Sequence, residues 1–340
     1  MAMEILIALI KIIVVMGIVL LTVAYLVYVE RRVAAFIQNR LGPNRVGPQG
    51  IFQPFADVLK LLFKEDIVPK AANRTIHDLA PIISITVALS VFAVIPFGNT
   101  ISLFGKEIHL SIANVDIGIL YILGLSSLGV YGITLSGWSS NNKYSLLGSL
   151  RSSAQMISYE LSLGLSLIGV LLMTGSLRLQ DVVVAQYGWR WNIFLQPIGF
   201  ITFLVASFAE TNRLPFDLPE AEPELVGGYH TEYSGIKFGT FFLAEYTNMI
   251  AASAVVTTFY LGGWQFPYLD RLGLPVLWIS IIQVMSFLLK VAVVIFFFIW
   301  VRWTIPRFRY DQLMNLGWKV MFPLALANAL GTAFVVAALG

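Results

Sequence analysis

No cysteine occurs in the 340 residues. Disulfides, thiolate metal sites and cysteine-held iron–sulfur clusters are therefore excluded, and thiols give no reading of redox compartment. Histidine is nearly absent too: His77, His109 and His230 lie in different loops, without metal-ligand spacing. Glycine-rich phosphate loops and nucleophile elbows in a strand–turn–helix setting are also missing. Charge is scarce, at 12% of residues, and the net of +3 is too mild to imply nucleic-acid binding.

What fills the chain is oil. Hydrophobic residues make up 58% of it, and mean hydropathy is +0.80, far outside the soluble range. Runs of roughly 20 apolar residues are long enough to cross a bilayer as helices. Eight such runs are expected, at about 4–29, 79–97, 116–138, 157–175, 194–209, 239–263, 276–301 and 318–337. The expected fold is thus an all-α polytopic membrane protein, one integral domain over 1–340. Met1 to Glu4 carry no basic residue and the first run is too long for a cleavable signal.

Loop charges set an orientation. Loops after the first, third, fifth and seventh runs hold sixteen Lys and Arg residues, and the opposite loops only Lys106, Arg178, Arg190 and Arg271. The positive-inside bias puts the long 30–78 loop in the cytoplasm and both termini on the periplasmic side of an inner membrane. Within that loop, Gly42-Pro43 and Gly47-Pro48 make a rigid turn. The stretch 51–64 then repeats apolar residues at helical spacing, with Gln53, Asp57, Lys60 and Lys64 opposite. It is too short to span, so an amphipathic helix at the interface is expected, either a packed connector or a gate beside a lipid-accessible opening.

The scarce acids are unevenly placed. Residues 209–235, AETNRLPFDLPEAEPELVGGYHTEYSG, gather Glu210, Asp217, Glu220, Glu222, Glu224 and Glu232 against one arginine, Arg213, in an acidic cytoplasmic loop over 210–238. Glu160, Glu210 and Glu245 sit in or at the edge of the fourth to sixth runs, towards the cytoplasmic half. A charge in hydrocarbon costs several kcal/mol, so such groups face either an arginine partner or a wet cavity where they can exchange protons. Lys290, near the middle of the seventh run, is a functional candidate or an ion-pair partner on the same ground. Trp264, Trp278, Trp300 and Trp303 fall near run ends, as interface anchors do, and Tyr121, Tyr159, Tyr246 and Tyr260 read as anchors or packing.

Six segments carry a family resemblance: VERR at 29–32, QNRLGPNRVGPQG at 38–50, QPFADVLKLLFKED at 53–66, GWSSNNKYSLLGSLRSSAQMISYE at 137–160, the acidic loop, and VRWTIPRFRYDQLM at 301–314. With these the whole chain resembles a family of membrane subunits from bacterial proton-translocating NADH–quinone oxidoreductase, respiratory complex I. The mitochondrial counterpart of that family is NADH dehydrogenase subunit 1. The resemblance implies a membrane-arm subunit that frames a quinone entry site and chamber and couples quinone reduction to proton translocation. It implies Arg31, Arg32, Arg40, Asp57, Asp217, Glu220, Glu222, Glu224 and Glu232 as chamber residues. Glu160, Glu210 and Glu245 become the proton route, with Arg213, Arg302, Arg307 and Arg309 as balancing charges. Quinone is the implied substrate, with no flavin, iron–sulfur cluster or metal on this chain, which is not expected to be catalytic alone. Implied partners are the quinone-site and terminal-cluster subunits of the hydrophilic arm, small membrane-arm subunits and lipid.

Two other classes fit part of the pattern. Buried acids and a central lysine suit a stand-alone proton-coupled secondary transporter, but no internal repeat or pair of broken helices accompanies them. The membrane subunit of a related membrane-bound hydrogenase shares ancestry without quinone use; the PFDLPEAEPEL run and the complete first loop favour the quinone enzyme, by resemblance.

Overall fold

The computed structural model describes residues 2–103, 106–218, 225–269 and 273–339. Among them the regular secondary structure is helical, apart from one antiparallel hairpin, β1 (Thr100–Leu103) with β2 (Lys106–His109), Thr100 opposite His109. In chain order the helices are α1 (Ala2–Ile37), α2 (Gln53–Phe63), α3 (Arg74–Ser90), α4 (Gly118–Ser139) and α5 (Lys143–Thr174). There follow α6 (Leu179–Ala185), α7 (Asn192–Leu195), α8 (Pro197–Glu210) and α9 (Gly235–Tyr260). The last are α10 (Val276–Thr304), α11 (Tyr310–Asn315) and α12 (Phe322–Leu339), the final two joined by a π-helical turn over Leu316–Met321.

By length and composition, six helical stretches among the described residues can cross a bilayer: Glu4–Ile37, Arg74–Ala93, Gly118–Ser139, Lys143–Thr174, Val276–Thr304 and Tyr310–Ala338. The other two expected spans behave differently. α8 has only 14 residues, about 21 Å of helix against a core of about 30 Å. α9 is long enough at 26 residues, but Glu245, Asn248 and its Ser and Thr residues dilute its hydropathy.

Helix starts and stops follow local chemistry. The Asn142 side chain accepts from Tyr144 N–H (3.0 Å) to cap α5, and Gly175 ends it at φ 66°. α5 therefore begins fourteen residues before the expected 157, and the polar run 143–156 is helix rather than loop. Its serines explain how: the hydroxyls of Ser149, Ser153 and Ser158 donate to Leu146, Ser149 and Ala154 carbonyls one turn back. These hydroxyls reach the interior already satisfied. α1 likewise runs to Ile37, eight residues past the expected end, so Glu30 to Arg32 are helical.

α5 is the central post, packed on α4, α8 and α12, while α9 lies against α3, α10 and α1. Beyond α9, Gly262 and Gly263 turn with φ of 74° and 52°. A Cβ on Gly262 would meet Trp191 Nε1 at 2.8 Å, so only glycine permits this approach. Lys290 Nζ closes the turn by donating to the carbonyls of Gly263 (3.0 Å) and Gln265 (2.6 Å), above the Trp191 ring at 4.5 Å.

Candidate functional site

The acidic loop is held from three sides. From α5, the Gln155 amide donates to the carbonyls of Ala209 (2.8 Å) and Phe216 (2.9 Å), and Ser152 donates to Asn212 Oδ1 (3.2 Å). From beyond α10, Phe308 N–H donates to Pro215 O (3.1 Å) and its ring stacks on Phe216. At the far end, Gly148 of α5 touches the chain at 228–229, where a Cβ would lie 2.8 Å from Gly228 Cα. The Ser234 hydroxyl donates to Glu65 O (3.1 Å) and accepts from Ile67 N–H (2.9 Å), tying the loop to the segment after α2.

Beneath the loop lies a buried charge network. Arg213, 2% exposed, puts Nη1 2.8 Å from Glu30 Oε2 and Nε 2.7 Å from Glu245 Oε1. Its guanidinium rests on the Tyr246 ring, 4.1 Å from the centroid. Arg302 closes on the other Glu30 oxygen. Two carboxylates thus meet two guanidiniums, which is how such a cluster survives in the interior. Arg307 pairs with Asp217 at 3.0 Å. Burial pushes the Asp217 carboxyl up to about 6, against the downward pull of Arg307 and Arg302.

Beside this network a cavity of about 90 Å³ opens between α3, α4, α5, α8 and α9. Most of its wall is apolar; Glu210, Glu245, Asn248, Asn212, Ser126 and Ser84 supply polar positions. Glu160 is one helix surface away: Ser127 bonds its carboxylate, Ser126 bonds that of Glu210, and the two acids act on each other electrostatically. The three acids proposed from the sequence therefore converge, two on the cavity wall and the third next to Glu210. Glu160 lies in mid-helix of α5 rather than at the inner end of a span.

The chamber candidates divide. Arg31 pairs with Asp57 at 2.7 Å, joining α1 to α2. Arg32 donates to Gln49 O, which Tyr28 OH also reaches (2.7 Å), and Arg40 Nε donates to Gln38 Oε1 (2.7 Å). Asp217 belongs with the buried network. Glu232 points elsewhere, accepting from Asn142 Nδ2 (2.5 Å). Glu220, Glu222 and Glu224 lie outside the described residues. Arg213 pairs with helices rather than within its loop, and Arg309 meets Asp311 at 3.4 Å. Lys290 takes backbone carbonyls as its partners. Among the described residues no cluster of three or more His, Asp or Glu is arranged to hold a metal.

Glu30, the hub of the network, is missing from the sequence candidates. It falls on one buried stripe of α1 with Val19, Val23, Leu26 and Ala34, a stripe that an all-round apolar helix does not mark in its sequence.

Known proteins share this sequence across most of its length. A family model described as NADH dehydrogenase matches residues 10–333. The chain is 56% identical over 328 residues to NADH-quinone oxidoreductase subunit 8 of Rhodothermus marinus, covering 94% of each chain. It is 52% identical over 335 residues to an NADH-quinone oxidoreductase subunit of Geobacter metallireducens, covering 98% of each. To an NADH-quinone oxidoreductase subunit of Cytophaga hutchinsonii it is 50% identical over 308 residues, covering 91% of this chain and 90% of that one.

Proposed function

The chain belongs to the NADH dehydrogenase family as a multi-pass membrane subunit of a multi-subunit NADH–quinone oxidoreductase, and on that premise we propose that it lines the quinone path and relays protons from it through buried carboxylates. Other subunits of the oxidoreductase are its partners, and quinone is the substrate of the assembly.

One observation carries the reading: Glu245 belongs both to the charge network under the acidic loop and to the wall of the cavity that holds Glu210. Reduction of a quinone to quinol takes up two protons. If groups near Asp217 supply them, the network gains negative charge in a poorly screened setting, where repulsion is several times its strength in water. Proton positions on Glu245, Glu210 and Glu160 respond, in that order.

In the full proposal the protein spans the membrane eight times, α8 and α9 completing the set, with both termini periplasmic. α2 lies at the interface, its exposed Phe55, Val58, Leu59 and Leu62 turned to lipid. The Arg31–Asp57 pair, Arg32 and Arg40 frame the quinone opening. Asp217 lines the chamber, whereas Glu232, bonded to Asn142, stands apart from it; Glu220, Glu222 and Glu224 are assigned to the chamber by the family resemblance.

The test is replacement of Glu160, Glu210 or Glu245 by Gln in the assembled enzyme, reading quinone reduction and protons moved per electron separately. A normal rate and a normal proton ratio in all three variants would remove the proposed route.

A further inference from the structure

α3 carries polar groups that the proposed route leaves unused. His77 is fully buried, stacked face to face on Tyr233 at 3.9 Å and 4°. Its Nδ1 is 3.9 Å from Oδ1 of Asp78, whose side chain is 44% exposed. Lys237 joins Asp78 (2.6 Å) to Asp66 (2.7 Å) at the same surface. Two turns along the same face of α3 is Ser84, 8% exposed, on the cavity wall, with no hydrogen-bond partner for its hydroxyl. Between them sits Pro81, which has no N–H to give to the carbonyl of His77 one turn back. In a membrane helix such freed groups are met by water or by neighbouring side chains. Spaced polar groups, His77 with its freed carbonyl and then Ser84, therefore lead from an exposed carboxylate inward to the cavity of Glu210 and Glu245.

That series is interrupted at one level. Tyr229, Tyr233 and Phe241 pack with Ala80, Val130 and Met156 into a small apolar cluster separate from the main core. The three aromatic rings meet edge to face, Phe241 lying 5.5 Å from Tyr229 and 4.9 Å from Tyr233. Tyr229 and Phe241 also line the cavity. Apolar constrictions of this kind stop water and ions by dewetting.

We infer that protons enter this cavity from the cytoplasmic surface by way of His77 and Ser84, and that Tyr229, Tyr233 and Phe241 gate the entry. The inference rests on the proton-handling cavity and the orientation proposed above. It adds a second mouth, distinct from the quinone side, and it gives the acidic loop a task. Tyr229 and Tyr233 ride on the end of that loop, so its movement opens or shuts the constriction. Quinone chemistry at one end of the loop thereby times proton supply at the other.

The absence of cysteine from the chain allows a direct test. Ser84→Cys is introduced into the assembled enzyme, and a water-soluble, membrane-impermeant maleimide is added at the cytoplasmic face of inverted vesicles. Thr202→Cys, buried on α8, serves as the reference. The expected result is labelling of position 84 several-fold faster than position 202, faster again when Phe241→Ala opens the constriction. Protons retained per electron should fall in Phe241→Ala, because the opened path leaks. Equal labelling at 84 and 202 overturns the inference, whether or not Phe241→Ala assembles. An unchanged proton ratio in assembled Phe241→Ala does the same. Glu210→Gln separates the two levels. If it abolishes pumping while position 84 stays unlabelled, only the entry falls; if pumping is untouched, the cavity reading falls with it.

Discussion

Arg213 and Glu245 are joined at 2.7 Å across the boundary between the acidic loop and α9, and the same guanidinium holds Glu30 of α1 at 2.8 Å. One loop residue thus fastens two helices that are far apart in sequence. The pairing also makes the guanidinium dependent on both carboxylates.

Removing that cation leaves the buried Glu30 and the half-buried Glu245 short of a partner. Arg213→Ala is expected to cost about 3–5 kcal/mol, the usual penalty for breaking one side of a buried pair. The protein should be lost from the purified enzyme or melt early. Arg213→Lys keeps the charge but not the fork that spans both acids, and should recover part of the loss. Thermal unfolding of the enzyme and the yield of this chain give the answer; a wild-type yield of Arg213→Ala would contradict the network.

Glu30 is predicted to matter as much as the acids nearer the quinone chemistry. Glu30→Gln leaves Arg302 and one arm of Arg213 without their anion, so the helices α1 and α10 should separate under the loop. Quinone reduction is expected to fall several-fold, and Glu30→Ala should be worse. Rates in membranes with matched enzyme content decide this, and an unaltered Glu30→Ala rate rejects the assignment.

Asp217 gives a pH prediction with a definite sign. Its carboxyl is held at about 6, above the usual 3.9 or so for aspartate. The stability associated with that shift is fully present below the unfolded value and lost as pH rises through about 6. Asp217→Asn should therefore gain relative to wild type as pH is raised from 4 to 8. Arg307→Gln removes the largest group pulling the carboxyl down, so its titration should move up from about 6. Infrared difference spectra of the protonated carboxyl band, taken against pH, measure the shift; a downward move in Arg307→Gln sinks it.

Lys290 is predicted to act as a clamp rather than a proton carrier. Lys290→Met strands the carbonyl of Gly263 and leaves that of Gln265 with only a long bond from Ser286 (3.5 Å), a loss of about 1–3 kcal/mol for a buried group left unpaired. The expected outcome is a lower melting temperature with protons per electron unchanged. A changed proton ratio at normal stability would falsify this.

Gly148→Ala tests how the far end of the loop is seated. The new methyl would meet backbone at Gly228 and Tyr229, which has no flexible end to give way. Overpacking against such a contact typically costs about 1–3 kcal/mol. Protease sensitivity of the 228–235 segment should rise; unchanged sensitivity argues that the chain there is free to step aside.

Much of this was legible in the sequence because the bilayer demands long apolar helices, and composition reports them. The acid positions were legible for the complementary reason, that charges in oil are conspicuous. The start of α5 was not, since a serine-rich run looks like loop until its hydroxyls are seen bonded to the helix's own carbonyls. Glu30 was hidden by its neighbours: beside Arg31 and Arg32 it reads as solvated loop, and α1 is apolar on every side, so phase alone does not say which stripe faces inward. The partners of Lys290 were illegible because they are backbone atoms, which leave no mark on residue identity.

Ser234 works as a mechanical link. Its hydroxyl bridges Glu65 and Ile67, residues lying 169 and 167 positions away along the chain, and the next ring along the chain is Tyr233. A push on the short helix that ends at Phe63 is therefore delivered, like a pull on a drawstring, to an aromatic residue stacked on His77. Distant stretches of polypeptide share one yoke, and slackening it would require breaking two hydrogen bonds at a single side chain.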